Sequence, residues 1–546
     1  MKTKSLTLLL LAGLLASCGG SETSSESEDL SYDDVAPTLS VPYSGKCANK
    51  PVYQILVYSF ADSNGDGIGD FQGIIDHLDY LSSLNVGYLW LSPVHPSGTY
   101  HHYDVNDYYQ IDETYGGMQG FESLIEAASA KGIGIVMDMV FNHASIDSSW
   151  FQASYESYFS HKRAGTIEEM RADPSDIGND FRFLEDPAGS GCKTEIVQKD
   201  GITVYYEANF DRRMPEFDLS SASVKQKQKD ILKFYLDKGV AGFRFDGCRY
   251  FFQESLEKSV SYMDELADFA RGEKEDVFLV GEYWNGIGQA IYTQATSKMP
   301  IFNFPVSAAA NTIGSPMYSI RSGMGYPFAQ TAYKTQKDAL TNSNGVAFPV
   351  YFLNNHDVDR YATNKIEEAK ATAAGYLLTP GTPTIYYGEE IMLKGKRLST
   401  DSTDARRRLP MRWTATGDTY RCQTFDYVSD PADQITTGAL EEIERDGSLA
   451  SYYKQILAFR ASHEEIRNGQ FATFGDDRED VAINRIVYQG KTAGYLFHNF
   501  DYDEHSTFVR LPADLVADRS LSLGEDRYEN GVATLSPFST LYLKAA

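Results

Sequence analysis

Val240-Ala241-Gly242-Phe243-Arg244-Phe245-Asp246 is a short apolar run that stops on a carboxylate. It does not alternate apolar with polar residues, as a strand with one wet face would, so both of its faces need cover. The same pattern recurs to either side: Val52 to Phe60, Val86 to Leu91 and Ile133 to Phe141 before it, Val277 to Val280, Ala347 to Leu353 and Thr384 to Tyr387 after it. Helical periods lie between several of these runs. Ile74, Leu78 and Leu81 fall at i, i+4, i+7, and Phe121, Leu124, Ile125 and Ala128 at i, i+3, i+4, i+7, each set making one apolar stripe. Alternating strands and helices argue for a parallel sheet. Seven strands are clear, and Ile301 to Phe304 is a weaker eighth. That count predicts an α/β fold of the (β/α)8 TIM-barrel type. A doubly wound open sheet fits less well, because no Gly-rich dinucleotide turn follows the first strand.

One connection is too long for a simple crossover. From Phe141 to Val240 only Ser220 to Lys238 reads as the returning helix, with Ile231, Leu232 and Tyr235 on one face, so residues 143–214 are expected to form an inserted subdomain. The barrel then comprises residues 47–142 and 215–465. Past the helical stretch Ser451 to Ser462 the pattern changes to alternating strands and tight turns, including Tyr528 and Glu529 turning at Asn530-Gly531 into Val532 to Leu535. Residues 466–546 therefore read as a C-terminal all-β sandwich domain.

The start of the chain reads as an export signal: Lys2 and Lys4, an apolar run from Leu6 to Leu15, then small residues. Leu15-Ala16-Ser17-Cys18 resembles a bacterial lipobox, which implies a signal peptide over residues 1–18 and lipidation of Cys18. The expectation is an exported bacterial lipoprotein, held at a membrane by its lipid anchor only, on the periplasmic face or cell surface. Ser21 to Asp34 is polar and acidic, as in a flexible tether over residues 19–46. With 49 basic and 76 acidic residues, the net charge of −27 excludes a nucleic-acid partner, since a phosphate backbone would be repelled. The remaining cysteines, Cys47, Cys192, Cys248 and Cys422, are widely spaced and contain no Cys-x-x-Cys pair, which argues against structural zinc. Free thiols and a single bridge both fit. The chain is expected to act as a monomer.

In a barrel the productive residues sit where strands stop. Here the third run ends Asp138-Met139-Val140-Phe141-Asn142-His143, the fourth Arg244-Phe245-Asp246, the fifth Val280-Gly281-Glu282, and the seventh Asn354-Asn355-His356-Asp357. Ionisable groups aimed into one mouth suffer desolvation and repulsion unless chemistry uses them. These four strings, in this order and spacing, resemble the signature regions of the α-amylase family of glycoside hydrolases (family 13). Tyr100-His101-His102-Tyr103-Asp104-Val105, Met214-Pro215-Glu216-Phe217-Asp218, Ile385-Tyr386-Tyr387-Gly388-Glu389-Glu390 and Arg408-Leu409-Pro410-Met411 are further family-like blocks.

The resemblance implies roles. A retaining glycosidase needs two carboxyls about 5 to 5.5 Å apart, one ionised nucleophile and one protonated acid. Asp246 is then the nucleophile, kept ionised by Arg244, and Glu282 the acid and base. Asp357 binds sugar hydroxyls as a third carboxylate. His143, His356 and His101 donate to the same sugar, and Tyr103 offers it an aromatic face. Cys248 and Tyr250 depart from the family pattern, a His often standing at the latter position, and Arg249 is left to serve the leaving-group side. Asp62-Ser63-Asn64-Gly65-Asp66-Gly67-Ile68-Gly69-Asp70 starts like an EF-hand loop, but its twelfth position, Gly73, cannot supply the bidentate carboxylate. It resembles instead a calcium loop of the family, which implies a structural Ca²⁺ on Asp62, Asn64, Asp66, the Ile68 carbonyl and Asp70. Asn142 is a ligand of a different calcium in some relatives, although the insert shows no clear partner for it.

The favoured function is an α-amylase acting on an α-glucan such as starch or maltooligosaccharides. The Tyr100 to Asp104 loop looks more like the amylase version than that of oligo-1,6-glucosidases. An α-glucosidase, a pullulan hydrolase or a glucanotransferase shares the same machinery. A catalytically silent glycan-binding protein is opposed by the intact Asp246, Glu282 and Asp357.

Overall fold

Strand β1 (Val52–Ile55) buries all four of its residues, and they divide between two cores. Val52 points into the barrel, where it meets Trp90, Val136, Phe278, Val280, Phe302, Phe304, Val350 and Phe352. Tyr53 and Ile55 face outward into the larger core under the helices. The period of two is present in the packing but hidden in the sequence, because both faces are apolar. This computed structural model describes residues 41–186, 193–284, 298–307, 314–361, 363–415, 420–425, 435, 437–472, 480–501, 507–510, 515–518 and 526–545. Cys18, most of the tether and Cys192 lie outside the described residues.

Following β1 come β2 (Tyr88–Leu91) and β3 (Gly134–Met139), then three short strands in the insert, β4 (Phe183–Leu184), β5 (Thr194–Lys199) and β6 (Ile202–Glu207). The barrel resumes with β7 (Gly242–Phe245), β8 (Phe278–Gly281), β9 (Val350–Phe352) and β10 (Thr382–Tyr386). Seven barrel strands pair in parallel in the order β8-β7-β3-β2-β1-β10-β9. The weak eighth run bridges the two edges: Ile301 pairs in parallel with Gly281 and Phe302 with Val350. It is this short because Pro300 has no N–H to give and Phe304–Val306, with its own proline, winds into a 3-10 turn. A (β/α)8 barrel results.

The predicted helical stripes are buried, with two adjustments. Gly117–Ala130 covers Phe121, Leu124, Ile125 and Ala128. Ile74, Leu78 and Leu81 form one buried stripe on two short helices, Phe71–Asp76 and Leu78–Ser83, interrupted at His77, whose Nδ1 lies 2.7 Å from the Gly73 carbonyl. The run Val52 to Phe60 does not stay a strand. Past Ile55 the chain turns through a single helical turn, Val57–Phe60, whose Val57 and Phe60 are also buried. An apolar stretch with cover on every side carries no period to mark that change.

In the insert β4, β6 and β5 form an antiparallel sheet beside the helix Ser149–Ala164. C-terminal strands β11 (Gln470–Ala472), β12 (Val481–Tyr488), β13 (Lys491–Asn499), β14 (Thr507–Arg510), β15 (Leu515–Asp518), β16 (Arg527–Glu529), β17 (Val532–Leu535) and β18 (Thr540–Ala545) make two sheets, β11-β12-β13-β18-β15 and β14-β17-β16. Val481, Ile483, Phe497, Ala533, Leu535 and Leu541 pack in their core. Asn530 (φ 51) and Gly531 (φ 79) form the tight turn between β16 and β17, both in the left-handed region that such hairpins need. Cys47, Cys248 and Cys422 carry free thiols.

Candidate active site

Asp138 on β3 and Arg244 on β7 are register partners on neighbouring parallel strands, so their side chains occupy one layer at the barrel mouth. The ladder runs one step beyond the strands: Asp246 N–H donates to the Met139 carbonyl (3.0 Å) and Glu282 N–H to the Phe245 carbonyl (2.9 Å). Backbone pairing thereby sets both carboxylates next to Arg244. Arg244 Nη1 donates to Asp138 Oδ1 at 2.7 Å and Asp246 Oδ1 at 2.6 Å, while Nη2 lies 3.1 Å from Glu282 Oε2. One guanidinium, 1% exposed, serves three carboxyl groups. It cannot neutralise all three in a buried mouth, so at least one stays protonated.

Glu282 is the group that holds its proton. Burial pushes its pKa up to about 8, with Arg244 opposing and the charges of Asp246, Asp357 and Asp138 acting in the same direction as burial. Asp138 is raised to about 7 by burial, against the pull of Arg244. Asp357 goes the other way. Burial alone would raise it, but His356, Arg408 and Arg244 outweigh burial and bring it below the usual carboxylate range. Arg408 Nη2 donates to Asp357 Oδ1 at 2.9 Å and Nη1 to the Tyr100 hydroxyl at 2.9 Å.

The three histidines are held differently. Burial lowers His356 to about 3 and His101 to about 4, and it lowers His143 as well, so each acts as a neutral imidazole at neutral pH. His356 Nδ1 lies 2.7 Å from Gln54 Nε2, which donates to it, leaving the ring proton on Nε2 between Tyr103 Oη (2.5 Å) and Asp357 Oδ2 (3.1 Å). His143 Nε2 donates to the Tyr103 carbonyl at 3.1 Å and so presents its other nitrogen as an acceptor. His101 accepts the Tyr103 N–H on Nδ1 at 3.2 Å, which leaves Nε2–H for the cleft. The Tyr103 ring stacks on His356 at 5.5 Å and 4°, and its hydroxyl donates to Asp138 at 3.1 Å.

A cleft of about 960 Å³ opens above these groups. Asp246, Glu282, Asp357, Tyr103, His101, His143 and Arg249 line it, whereas His356 is buried against Asp357. The structure thus brings together the residues that the strand ends suggested. Asp138, Arg408, Gln54 and Trp90 join them without having been singled out. Asp138 opens the third strand-end motif and Arg408 opens a family-like block, which was the available signal. Gln54 and Trp90 (Nε1 to Asp138 Oδ2, 3.2 Å) sit inside apolar runs and carried none.

Residues 54–469 match the family description "Alpha amylase, catalytic domain". The chain belongs to the α-amylase family. Alpha-amylase 3 of Dictyoglomus thermophilum is 30% identical over 91% of this chain and 93% of its own length. An oligo-1,6-glucosidase of Parageobacillus thermoglucosidasius is 27% identical over 83% of this chain and 94% of its own. Among solved structures, Eubacterium rectale Amy13B superposes with a TM-score of 0.79 at 26% identity, covering 93% of this chain and 97% of that one. In this member of the α-amylase family the reaction class is therefore glycoside hydrolysis, and the neighbours span more than one linkage.

Two further elements of this α-amylase-family chain bear on ligands. In the Asp62 to Asp70 loop, Asp62 accepts N–H groups of Asn64, Gly65 and Gly67, Asn64 Oδ1 that of Asp66, and Asp66 Oδ1 that of Ile68. Asp70 accepts the Ser63 hydroxyl and caps the helix Phe71–Asp76 through Gly73 N–H. Among the described residues no cluster of three or more His, Cys, Asp or Glu side chains is gathered as for a metal. The side chains themselves offer hard oxygen donors at alternate residues, the donor type that calcium takes. Asn142 Nδ2 donates to Glu216 Oε2 at 2.6 Å, joining the barrel to the insert, while its Oδ1 is buried without a hydrogen-bond partner.

Proposed function

We propose that the chain is a retaining hydrolase of α-1,4-glucosidic bonds in starch or maltooligosaccharides, working through a glycosyl-enzyme intermediate. The observation that carries this reading is Arg244, one cation shared by Asp138, Asp246 and Glu282. It separates the roles of two neighbouring carboxyls. Asp246, 2.6 Å from the guanidinium, attacks the anomeric carbon as a carboxylate. Glu282, protonated at neutral pH, gives its proton to the departing glycosidic oxygen. It then takes a proton from water as the ester at Asp246 is hydrolysed, and two inversions return the α configuration. Asp357, ionised and fixed by Arg408, accepts hydrogen bonds from sugar hydroxyls, a contact that strengthens as positive charge develops on the ring.

The α-1,4 bond is favoured by the amylase-like Tyr100 to Asp104 loop and by a relative named alpha-amylase that spans nearly the whole chain. An α-glucosidase reading rests on the oligo-1,6-glucosidase relatives. Product analysis on starch, pullulan, maltotriose and isomaltose separates the two. Maltooligosaccharides released from starch in the α-anomeric form are the expected result; turnover of isomaltose alone overturns the α-1,4 assignment.

We further propose that Asp62, Asn64, Asp66, the Ile68 carbonyl and Asp70 hold a structural Ca²⁺. Chelation then lowers the melting temperature of the purified protein and calcium restores it; a transition that moves in neither case removes the metal from this reading. Cys18 is proposed as the lipidated residue of a membrane-anchored exported protein. Cys18→Ala should shift the protein from the membrane fraction to the soluble one, and continued retention refutes the anchor.

A further inference from the structure

Glu389 is a buried carboxyl that touches neither the cleft nor the groups around Arg244. It opens the 3-10 turn Glu389–Ile391, just past the end of β10. Its Oε1 accepts two hydroxyls, that of Tyr376 on the helix Ile366–Leu377 and that of Tyr453 on the helix Leu449–Ser462, the latter at 3.3 Å. Its Oε2 accepts Asn354 Nδ2 at 2.8 Å. Three donors converge on one side chain, which suits a group that accepts at both oxygens. Burial raises Glu389 to about 7, against the bonds from Tyr376 and Asn354.

Asn354 carries this cluster to the catalytic mouth. It stands two residues past β9, and its Oδ1 accepts the Tyr361 N–H at 2.5 Å. One side chain thereby closes the loop 354–361, which holds His356 and Asp357. Within the loop Asn355 Oδ1 accepts the Asp357 N–H at 2.9 Å. Arg408 grips it from the cleft side, Nε donating to the His356 carbonyl and Nη2 to Asp357 Oδ1, both at 2.9 Å. Glu389 grips it from the core side. Tyr376 and Tyr453 are packed in the core under the helices, so the anchor behind Glu389 is rigid. An Asp357 whose contact with the sugar tightens in the transition state needs such rigidity, since a displacement of about 1 Å can cost about 10²-fold in rate.

We propose that Glu389 is a positioning residue for Asp357, acting through Asn354, in addition to joining two outer helices. This rests on the role given to Asp357 above. Glu389→Gln keeps size and shape but turns one acceptor into an amide NH2. Two tyrosine hydroxyls outnumber one amide for the remaining oxygen, so the new NH2 faces Asn354 Nδ2, donor against donor. On maltotriose kcat should fall about tenfold while KM stays within about twofold, the split expected when a contact made in the transition state is misplaced. Adding Asn354→Asp supplies an acceptor for that NH2 and keeps one for the Tyr361 N–H, and should return kcat to within about threefold of wild type. In an Asp357→Asn background Glu389→Gln should cost less than about twofold further, because its effect runs through a group already disabled. A kcat within about twofold of wild type in Glu389→Gln, whatever its melting temperature, overturns the positioning role and leaves only the join between helices. So does a double variant no better than the single, or an undiminished loss in the Asp357→Asn background. If Asp357→Asn alone keeps kcat within about tenfold of wild type, the catalytic reading of Asp357 fails instead, so the two failures are distinguishable.

Discussion

Asp246→Asn lowers kcat on starch by about 10⁴-fold or more, the scale seen when a nucleophile that acts as part of a unit is removed. The substitution preserves shape, and its amide oxygen can still accept from Arg244, which stands 2.6 Å from Asp246 Oδ1. What it loses is the anion that bonds to the anomeric carbon. Folding should not suffer. Three carboxyl groups crowd one guanidinium, and deleting one charge relieves repulsion among those that remain. The melting temperature should therefore hold or rise while turnover collapses, a combination that damage to the fold cannot produce. Because Asp246 helps to push Glu282 up, the variant's Glu282 should also titrate lower than in the wild type. Activity within tenfold of wild type in the folded Asn variant would sink the nucleophile assignment.

The barrel and its mouth could be read from the chain because the information there is local. Each strand is a brief apolar run that stops on a polar residue, and Asp246, Glu282 and Asp357 announce themselves by where the runs end. The eighth strand was faint since it consists of little more than Ile301 and Phe302, paired by single bridges and bounded by prolines. Contacts between distant segments were not legible. Gln54 meets His356 from 302 residues away, and Tyr100 meets Arg408 across 308, with no local pattern that marks either pair. Nor does sequence reveal how each histidine spends its protons. His143 gives its N–H to the Tyr103 carbonyl and His356 is buried against Asp357, so a set of three similar donors becomes three different groups.

Glu282→Gln removes the proton donor, and the size of the defect should depend on the leaving group. On maltotriose, where the departing alkoxide needs a proton, kcat/KM falls by about 10³- to 10⁴-fold. On α-glucosyl fluoride, whose leaving group needs far less assistance, bond breaking survives better and breakdown of the intermediate, now lacking its base, becomes limiting. Azide, a nucleophile that needs no base, should then accelerate turnover. The pH dependence supplies a second check. Glu282 must be protonated to act and is raised to about 8, chiefly by burial, so wild-type kcat/KM on maltotriose should fall as pH rises through about 8. That limb should vanish in the Gln variant. The same shift makes a stability claim whose sign is fixed. Between the ordinary glutamate value of 4.5 and about 8 the folded protein holds a proton that the unfolded chain has released, so the wild type loses stability as pH rises across that interval. Glutamine cannot ionise and is spared the loss. Relative to wild type, Glu282→Gln should therefore melt at progressively higher temperature from pH 5 to pH 8. A constant difference, together with an unchanged alkaline limb, would mean that Glu282 is already ionised in the folded protein and that another group protonates the leaving oxygen.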